Sequence, residues 1–124
     1  MITMDNVNEA SQQEVFDQVA RHLLRQGEQS TTEDNGCAYR GDNGLMCAVG
    51  CLMTDRQYTI TYCDFEEHTA SSLPGVNGST GELLDELQLI HDGSDPLLWG
   101  QELSKLAHRY HLNTDALKEN TNES

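Results

Sequence analysis

Residues 79–93 (STGELLDELQLIHDG) give the clearest structural signal in this chain of 124 residues. The segment begins with STGE, a capping box that satisfies the first backbone N–H groups of a helix, and it ends at Gly93. On a helical wheel its apolar residues share one side, which predicts a helix packed on a core. That side holds Leu83, Leu84, Leu87, Ile90 and His91. The other side is acidic but includes Leu89.

A further helix is predicted immediately downstream. Asp95 is a suitable cap, and Pro96 stands at the first helical position, where its missing N–H costs no hydrogen bond. Apolar residues follow at helical spacing, namely Trp99, Leu103, Leu106 and Tyr110. Because the link between the two helices is so short, we expect them to pack as an αα-hairpin.

Another helix is predicted near the N-terminus. Residues 11–14 (SQQE) form a second capping box, and Gly27 supplies a left-handed helix end. Between them, two rows of apolar residues spaced four apart form one stripe that faces the core. The rows are Val15, Val19, Leu23 and Phe16, Ala20, Leu24.

The middle of the chain predicts strands. Residues 42–44 (DNG), between apolar stretches, are typical of a hairpin turn, and residues 58–63 (YTITYC) alternate like a third short strand. At residues 45–53 we expect a strand start that runs into a helical turn. We therefore predict an α+β fold with an N-terminal helix, a small antiparallel two- to three-stranded sheet and a C-terminal αα-hairpin. Residues 1–112 would form a single globular domain, and residues 113–124 a polar C-terminal tail.

The chain is strongly acidic, with 21 Asp and Glu against 7 Lys and Arg and a net charge of −14. From residue 57 to residue 104 it has nine acids and no lysine or arginine. Direct binding of nucleic acid is disfavoured, because Lys and Arg are needed to displace counterions from phosphates. A basic host protein or ribonucleoprotein is the favoured partner.

Two acidic patches are candidates for contact with such a partner. The first consists of Glu82, Asp85, Glu86, Leu89 and Asp92, and the second of Asp64, Glu66 and Glu67. A leucine ringed by carboxylates suits a basic partner that has an apolar pocket. The alternative is a solvated face that only keeps the protein soluble.

Four cysteines, Cys37, Cys47, Cys51 and Cys63, occur in one region together with His68. Only Cys47 and Cys51 have the spacing typical of zinc ligands, so we predict packing thiols and neither metal nor other cofactor. A zinc-stabilised structural or adaptor module is the alternative function. Acidic surroundings raise a thiol pKa, which disfavours thiol catalysis. Residues 75–81 (GVNGSTG) resemble a phosphate loop but lack its lysine, and we expect no enzymatic activity.

The N-terminal residues lack the basic and apolar regions of a signal peptide, and no apolar run is long enough to span a membrane. We therefore expect a cytosolic protein that does not bind membranes.

Residues 37–41 (CAYRG) and 44–52 (GLMCAVGCL), with Asp55 and Tyr58, resemble a motif of small uncharacterised proteins of tailed phages and prophages. The helix around Phe16 and the ending from Trp99 to residues 110–112 (YHL) are similar to these proteins as well. Residues 53–54 (MT) depart from the isoleucine–proline pair expected there. The resemblance implies a viral origin and action in the host cytoplasm, and it supplies no activity.

Charge and resemblance together predict a phage-encoded acidic inhibitor. It would bind a basic surface of a host nucleic-acid-handling complex, as an anti-CRISPR or DNA-mimic protein does. Its contacts would be made by the two acidic patches.

Overall fold

The computed structural model describes residues 2–31, 39–41, 44–62, 70–73 and 76–118, and within them the chain is mainly helical. The α-helices are α1 (Gln12–Gln26), α2 (Asp55–Gln57), α3 (Gly78–Gly93), α4 (Trp99–Arg109) and α5 (Asp115–Lys118). A π-helical turn, Tyr58–Tyr62, continues α2. Short 3-10 turns span Gly50–Leu52, Ala70–Ser72 and Pro96–Leu98.

The predicted sheet, and with it the α+β fold class, is wrong. The described residues contain no sheet; where the hairpin was expected they contain an isolated antiparallel bridge between Arg40 and Met46. After Met46 the chain turns into Gly50–Leu52, as expected for this segment. A side chain on Gly50 would overlap the Tyr39 carbonyl, so the Gly50–Leu52 turn packs directly on the backbone of Tyr39. This contact ends the strand pairing at the bridge between Arg40 and Met46. Residues 42–43 of the predicted turn lie outside the described residues.

The predicted third strand is a helical segment. Residues 54–57 (TDRQ) form a capping box that the strand prediction overlooked: the Gln57 N–H donates to the Thr54 hydroxyl (3.1 Å) and the Thr54 N–H donates to the Gln57 amide oxygen (2.8 Å). The box starts α2, and the helical path continues through Tyr62. Local capping therefore outweighs the β-propensity of residues 58–62.

The N-terminal helix is confirmed in its cap, its stripe and its end. Ser11 and Glu14 exchange the two hydrogen bonds of a capping box, and Gly27 ends α1 with a φ of 68°. The stripe faces the core through Val15, Phe16, Val19, Ala20 and Leu23.

The two predicted C-terminal helices are also present. The cap of α3 is Asn77, whose side-chain oxygen accepts the Thr80 N–H (2.9 Å), so the helix begins earlier than the STGE box predicts. Asp95 caps the link by accepting the Leu97 N–H (2.9 Å). Trp99 at the start of α4 stacks on His91, and Arg109 at its end reaches Glu86. Helix α4 therefore packs antiparallel to α3, as the αα-hairpin prediction expects.

One core holds these helices together. Its fully buried side chains include Phe16 and Leu23 of α1, Leu84 of α3, and Trp99 and Leu103 of α4. No helix within the described ranges is long and apolar enough to cross a membrane.

Residues 113–118 of the segment predicted as a polar tail pack on α1. Ala116 is fully buried and Leu117 is 9% exposed. The Asn113 N–H donates to the side-chain oxygen of Gln13 (2.8 Å), which joins this segment to the first turn of α1.

Candidate functional site

The outer side of α3 carries the first acidic patch, and we call the five residues of this patch the acidic face. Leu89 is 65% exposed, and Glu82 and Asp92 are also exposed. Asp85 and Glu86 are half-buried. All five residues project from one side of the helix, because Glu82, then Asp85 and Glu86, then Leu89 and then Asp92 follow one another at intervals of three or four. The sequence therefore placed Leu89 correctly among the carboxylates.

Packing of the opposite side fixes how α3 presents this face. Leu83, Leu84, Leu87, Ile90 and His91 are all buried. The turn around Ser71 approaches so closely that a side chain on Gly81 would come within 2.8 Å of the Ser71 backbone. The Ser71 N–H donates to Asp85 (3.2 Å), so this carboxylate is held at one edge of the acidic face.

Asp92 is oriented by a buried histidine. The backbone N–H of Ser30 donates to Nε2 of His91 (2.8 Å), which places the ring N–H on Nδ1. Nδ1 then donates to Asp92 (2.7 Å), and the Gln88 side-chain amide donates to the same carboxylate oxygen (2.8 Å). His91 is completely buried and stacks on Trp99 with 5.5 Å between ring centroids. The orientation of Asp92 is thus set by the core.

Glu86 is partly neutralised by Arg109 of α4. Two guanidinium nitrogens of Arg109 lie 3.4 Å from its two carboxylate oxygens. Both side chains are partly exposed, at 59% and 35%, so the ion pair is a weak one. Within the described part of the chain, Glu82 and Asp85 have no basic side chain at ion-pair distance. The acidic face therefore keeps most of its negative charge.

Tyr110 lies at the edge of the acidic face, a position that sequence reasoning missed. It directly follows α4, and its half-buried side chain packs against the core, as its spacing predicts. Burial raises the pKa of Tyr110, and the neighbouring carboxylates of Glu86 and Glu82 raise it further. The phenol consequently stays protonated and adds a neutral hydrogen-bonding group beside the carboxylates.

Comparison with known proteins identifies no relative, so any functional argument depends on the geometry described above. No family model matches the sequence, and neither the curated proteins nor the solved structures give a significant match. The second predicted patch, Asp64, Glu66 and Glu67, lies outside the described residues.

The two described cysteines behave as packing thiols. Cys47 is fully buried and accepts the Gly50 N–H (3.2 Å), and the Cys51 thiol donates to the Ala48 carbonyl (3.1 Å). Burial raises the pKa of Cys47 to about 12 and also raises that of Cys51. The described residues contain no group of three or more His, Cys, Asp or Glu side chains that could hold a metal. Cys37, Cys63 and His68 lie outside them, so the zinc alternative stays a prediction.

His91, Asp92 and Ser30 together have the residue types of a catalytic triad, but their geometry differs from one. A triad needs Nε2 free to take a proton from the serine hydroxyl. Here Nε2 accepts a backbone N–H, and the Ser30 hydroxyl donates to the Leu45 carbonyl (3.2 Å). Because Ser30 and His91 are both fully buried, this arrangement joins elements of the fold and does not activate Ser30.

Proposed function

We propose that this protein is an acidic inhibitor that binds a basic surface of a nucleic-acid-handling protein or ribonucleoprotein. Binding occurs through the acidic face of α3. The observation that carries the proposal is the position of Leu89, which is 65% exposed in the middle of four carboxylates. A single exposed leucine is ordinary, but one ringed by charges of one sign provides an apolar anchor with a charged rim.

The spacing of the carboxylates supports mimicry of DNA. With a rise of about 1.5 Å per residue, Glu82 and Asp92 lie about 15 Å apart along α3. One strand of DNA presents a phosphate about every 3.4 Å of helix axis, or roughly four over that length. The acidic face presents four carboxylates over the same distance. A protein surface that binds a DNA strand would therefore meet a similar charge density.

The charge of the whole chain favours rapid association with such a surface. A net charge of −14 attracts a basic partner. Because nucleic acid binds the same kind of basic surface, the inhibitor would compete with nucleic acid for one site on that partner. The resemblance to phage proteins extends the proposal to an anti-CRISPR or other anti-defence protein that acts in the host cytoplasm.

Affinity capture from bacterial lysate, followed by mass spectrometry, tests the proposal with matched variants. E82Q/D85N removes two charges from the acidic face, and the amide oxygen that replaces the Asp85 carboxylate can still accept the Ser71 N–H. D5N/E9Q removes two exposed charges elsewhere and serves as the control. We expect E82Q/D85N and L89A to lose a nucleic-acid-binding partner that the wild type and D5N/E9Q retain.

Competition gives the second readout. The purified partner should release a labelled DNA or RNA probe when wild-type protein is added, and should keep it when L89A is added. Capture of the same partners by all four proteins would show that the acidic face is not the contact surface. Release of no probe would contradict inhibition.

A further inference from the structure

An open cleft beside α1 differs in charge from the rest of this acidic molecule. Its volume is about 1010 Å3, and it lies between α1 and the segment around Met46. Arg21 and Arg25 line it from the α1 side, while Met46 and Cys51 contribute to its apolar surface. Of the acidic residues that the structure describes, none lines the cleft. The cleft shares no residue with the acidic face.

Hydrogen bonds between α1 and Met46 hold the floor of the cleft. The Met46 N–H donates to the side-chain oxygen of Gln26 (2.9 Å), and the Gln26 amide donates back to the Met46 carbonyl (2.9 Å). The same carbonyl accepts Nε2–H of His22 (2.8 Å). Burial lowers the pKa of His22, so this imidazole is neutral at pH 7 and serves as an anchor. A floor held in this way is largely formed before any ligand arrives.

Arg25 is placed to bind an anionic group in the cleft. Arg21 lies four residues earlier on α1, so both side chains leave the same side of the helix. Arg25 is exposed, and no described carboxylate lies at ion-pair distance from it. Guanidinium groups bind phosphate, sulfonate or carboxylate oxygens through paired hydrogen bonds. The exposed guanidinium of Arg25 is therefore available to a ligand.

We infer that this cleft binds a small organic anion. The anionic group would lie on Arg25, beside Arg21, and an apolar or aromatic body would lie against Met46 and Cys51. A nucleic acid does not fit, because its many phosphates would be repelled by the net charge of −14. The cleft volume lies at the upper end of the range for small-molecule sites. Because its pKa is raised, the half-buried thiol of Cys51 stays protonated and offers a ligand an apolar contact and not a nucleophile.

A fluorescent probe tests the inference directly. 8-Anilino-1-naphthalenesulfonate carries one anionic group on an aromatic body, and N-phenyl-1-naphthylamine has a similar body without the charge. We expect the sulfonate to bind folded protein at one saturable site, and the neutral compound and inorganic phosphate to bind at least about tenfold more weakly. Similar binding by the neutral compound, or by phosphate alone, would overturn the inference.

Variants and chemical shifts locate the probe. R25Q should weaken sulfonate binding about tenfold, the effect of losing one hydrogen bond to a charged group. R56Q makes the same change at an exposed arginine outside the cleft and should alter affinity less than about twofold. In NMR spectra the probe should shift the Met46 amide and the Gln26 side-chain amide. Equal losses in both variants, or shifts confined to other residues, would place the probe elsewhere and refute the site.

Discussion

His91 connects three parts of the fold through its ring. Nε2 accepts the Ser30 N–H beyond the end of α1, Nδ1 donates to Asp92 in the acidic face, and the ring stacks on Trp99 of α4. On the helical wheel His91 was expected simply as a member of the apolar side. The wheel predicted its burial, but both hydrogen bonds depend on tertiary packing and could not be predicted from spacing.

Replacing His91 should lower the free energy of unfolding, because its hydrogen bonds and its stacking on Trp99 are lost. H91L leaves the buried Ser30 N–H without an acceptor, and an unsatisfied buried donor costs about 1–3 kcal/mol. We expect urea unfolding to show a loss of about 2–3 kcal/mol, including the lost stacking. H108L changes an exposed histidine of α4 and should stay within about 0.5 kcal/mol of the wild type. Equal losses in the two variants would disprove the bridging role of His91.

The buried Cys47 thiol should be unreactive in the folded protein. Burial raises the pKa of Cys47 to about 12, and the thiolate is the reactive form. In a C37S/C51S/C63S variant, which retains only Cys47, a thiol reagent at pH 8 should react at least about tenfold more slowly than in urea. Because the folded pKa is raised, the thiol's contribution to stability is present below about pH 9 and is lost as pH rises towards 12. Equal rates in buffer and urea would contradict this environment.

Single helices followed the sequence where caps and periodicity agreed, although Asn77 and not the STGE box caps α3. Ser11, Gly27 and Asp95 act as predicted, and the apolar stripes of α1 and α4 face the core. The strand prediction is wrong because the capping box at Thr54 starts a helical segment that continues through residues 58–62 despite their alternating pattern. The hairpin was reduced to one bridge because Gly50 packs on Tyr39, a contact between separate turns that local pattern does not contain.

Removing the Thr54 cap tests this account of α2. T54A deletes the hydroxyl that accepts the Gln57 N–H, and loss of such a cap costs about 1 kcal/mol. We expect chemical denaturation to show that loss, together with weaker helical circular dichroism. S104A, at an exposed position of α4, is the control and should be nearly neutral. A T54A protein as stable and as helical as S104A would mean that packing alone forms the segment.

At the scale of the whole molecule, four carboxylates share one face of α3, while a cleft elsewhere is lined by arginine. The sequence predicted the charge imbalance and the composition of the acidic face. It did not predict the pairing of Glu86 with Arg109, the position of Tyr110 or the cleft, because each joins residues distant in the chain. Those features required the arrangement of α1, α3 and α4.

The charges of Glu82 and Asp85 should not contribute to stability. Glu82 has like-charged neighbours three and four residues along α3, and such pairs destabilise a helix by about 0.2–0.5 kcal/mol each. E82Q/D85N should therefore unfold at an equal or slightly higher urea concentration than the wild type in low salt. Screening should reduce the difference in about 0.5 M NaCl. A loss of more than about 1 kcal/mol would assign these carboxylates a structural role.

The affinity of the captured partner for wild-type and L89A protein, measured by titration at about 150 mM salt, tests the central claim most directly. Leu89 is largely exposed, so the variant should keep the wild-type circular dichroism and unfolding midpoint. We predict at least about tenfold weaker binding by L89A, because truncation of a central apolar anchor costs more than about 1.4 kcal/mol. Equal affinity of the two proteins for the partner would contradict the claim that α3 docks through Leu89 and its carboxylates.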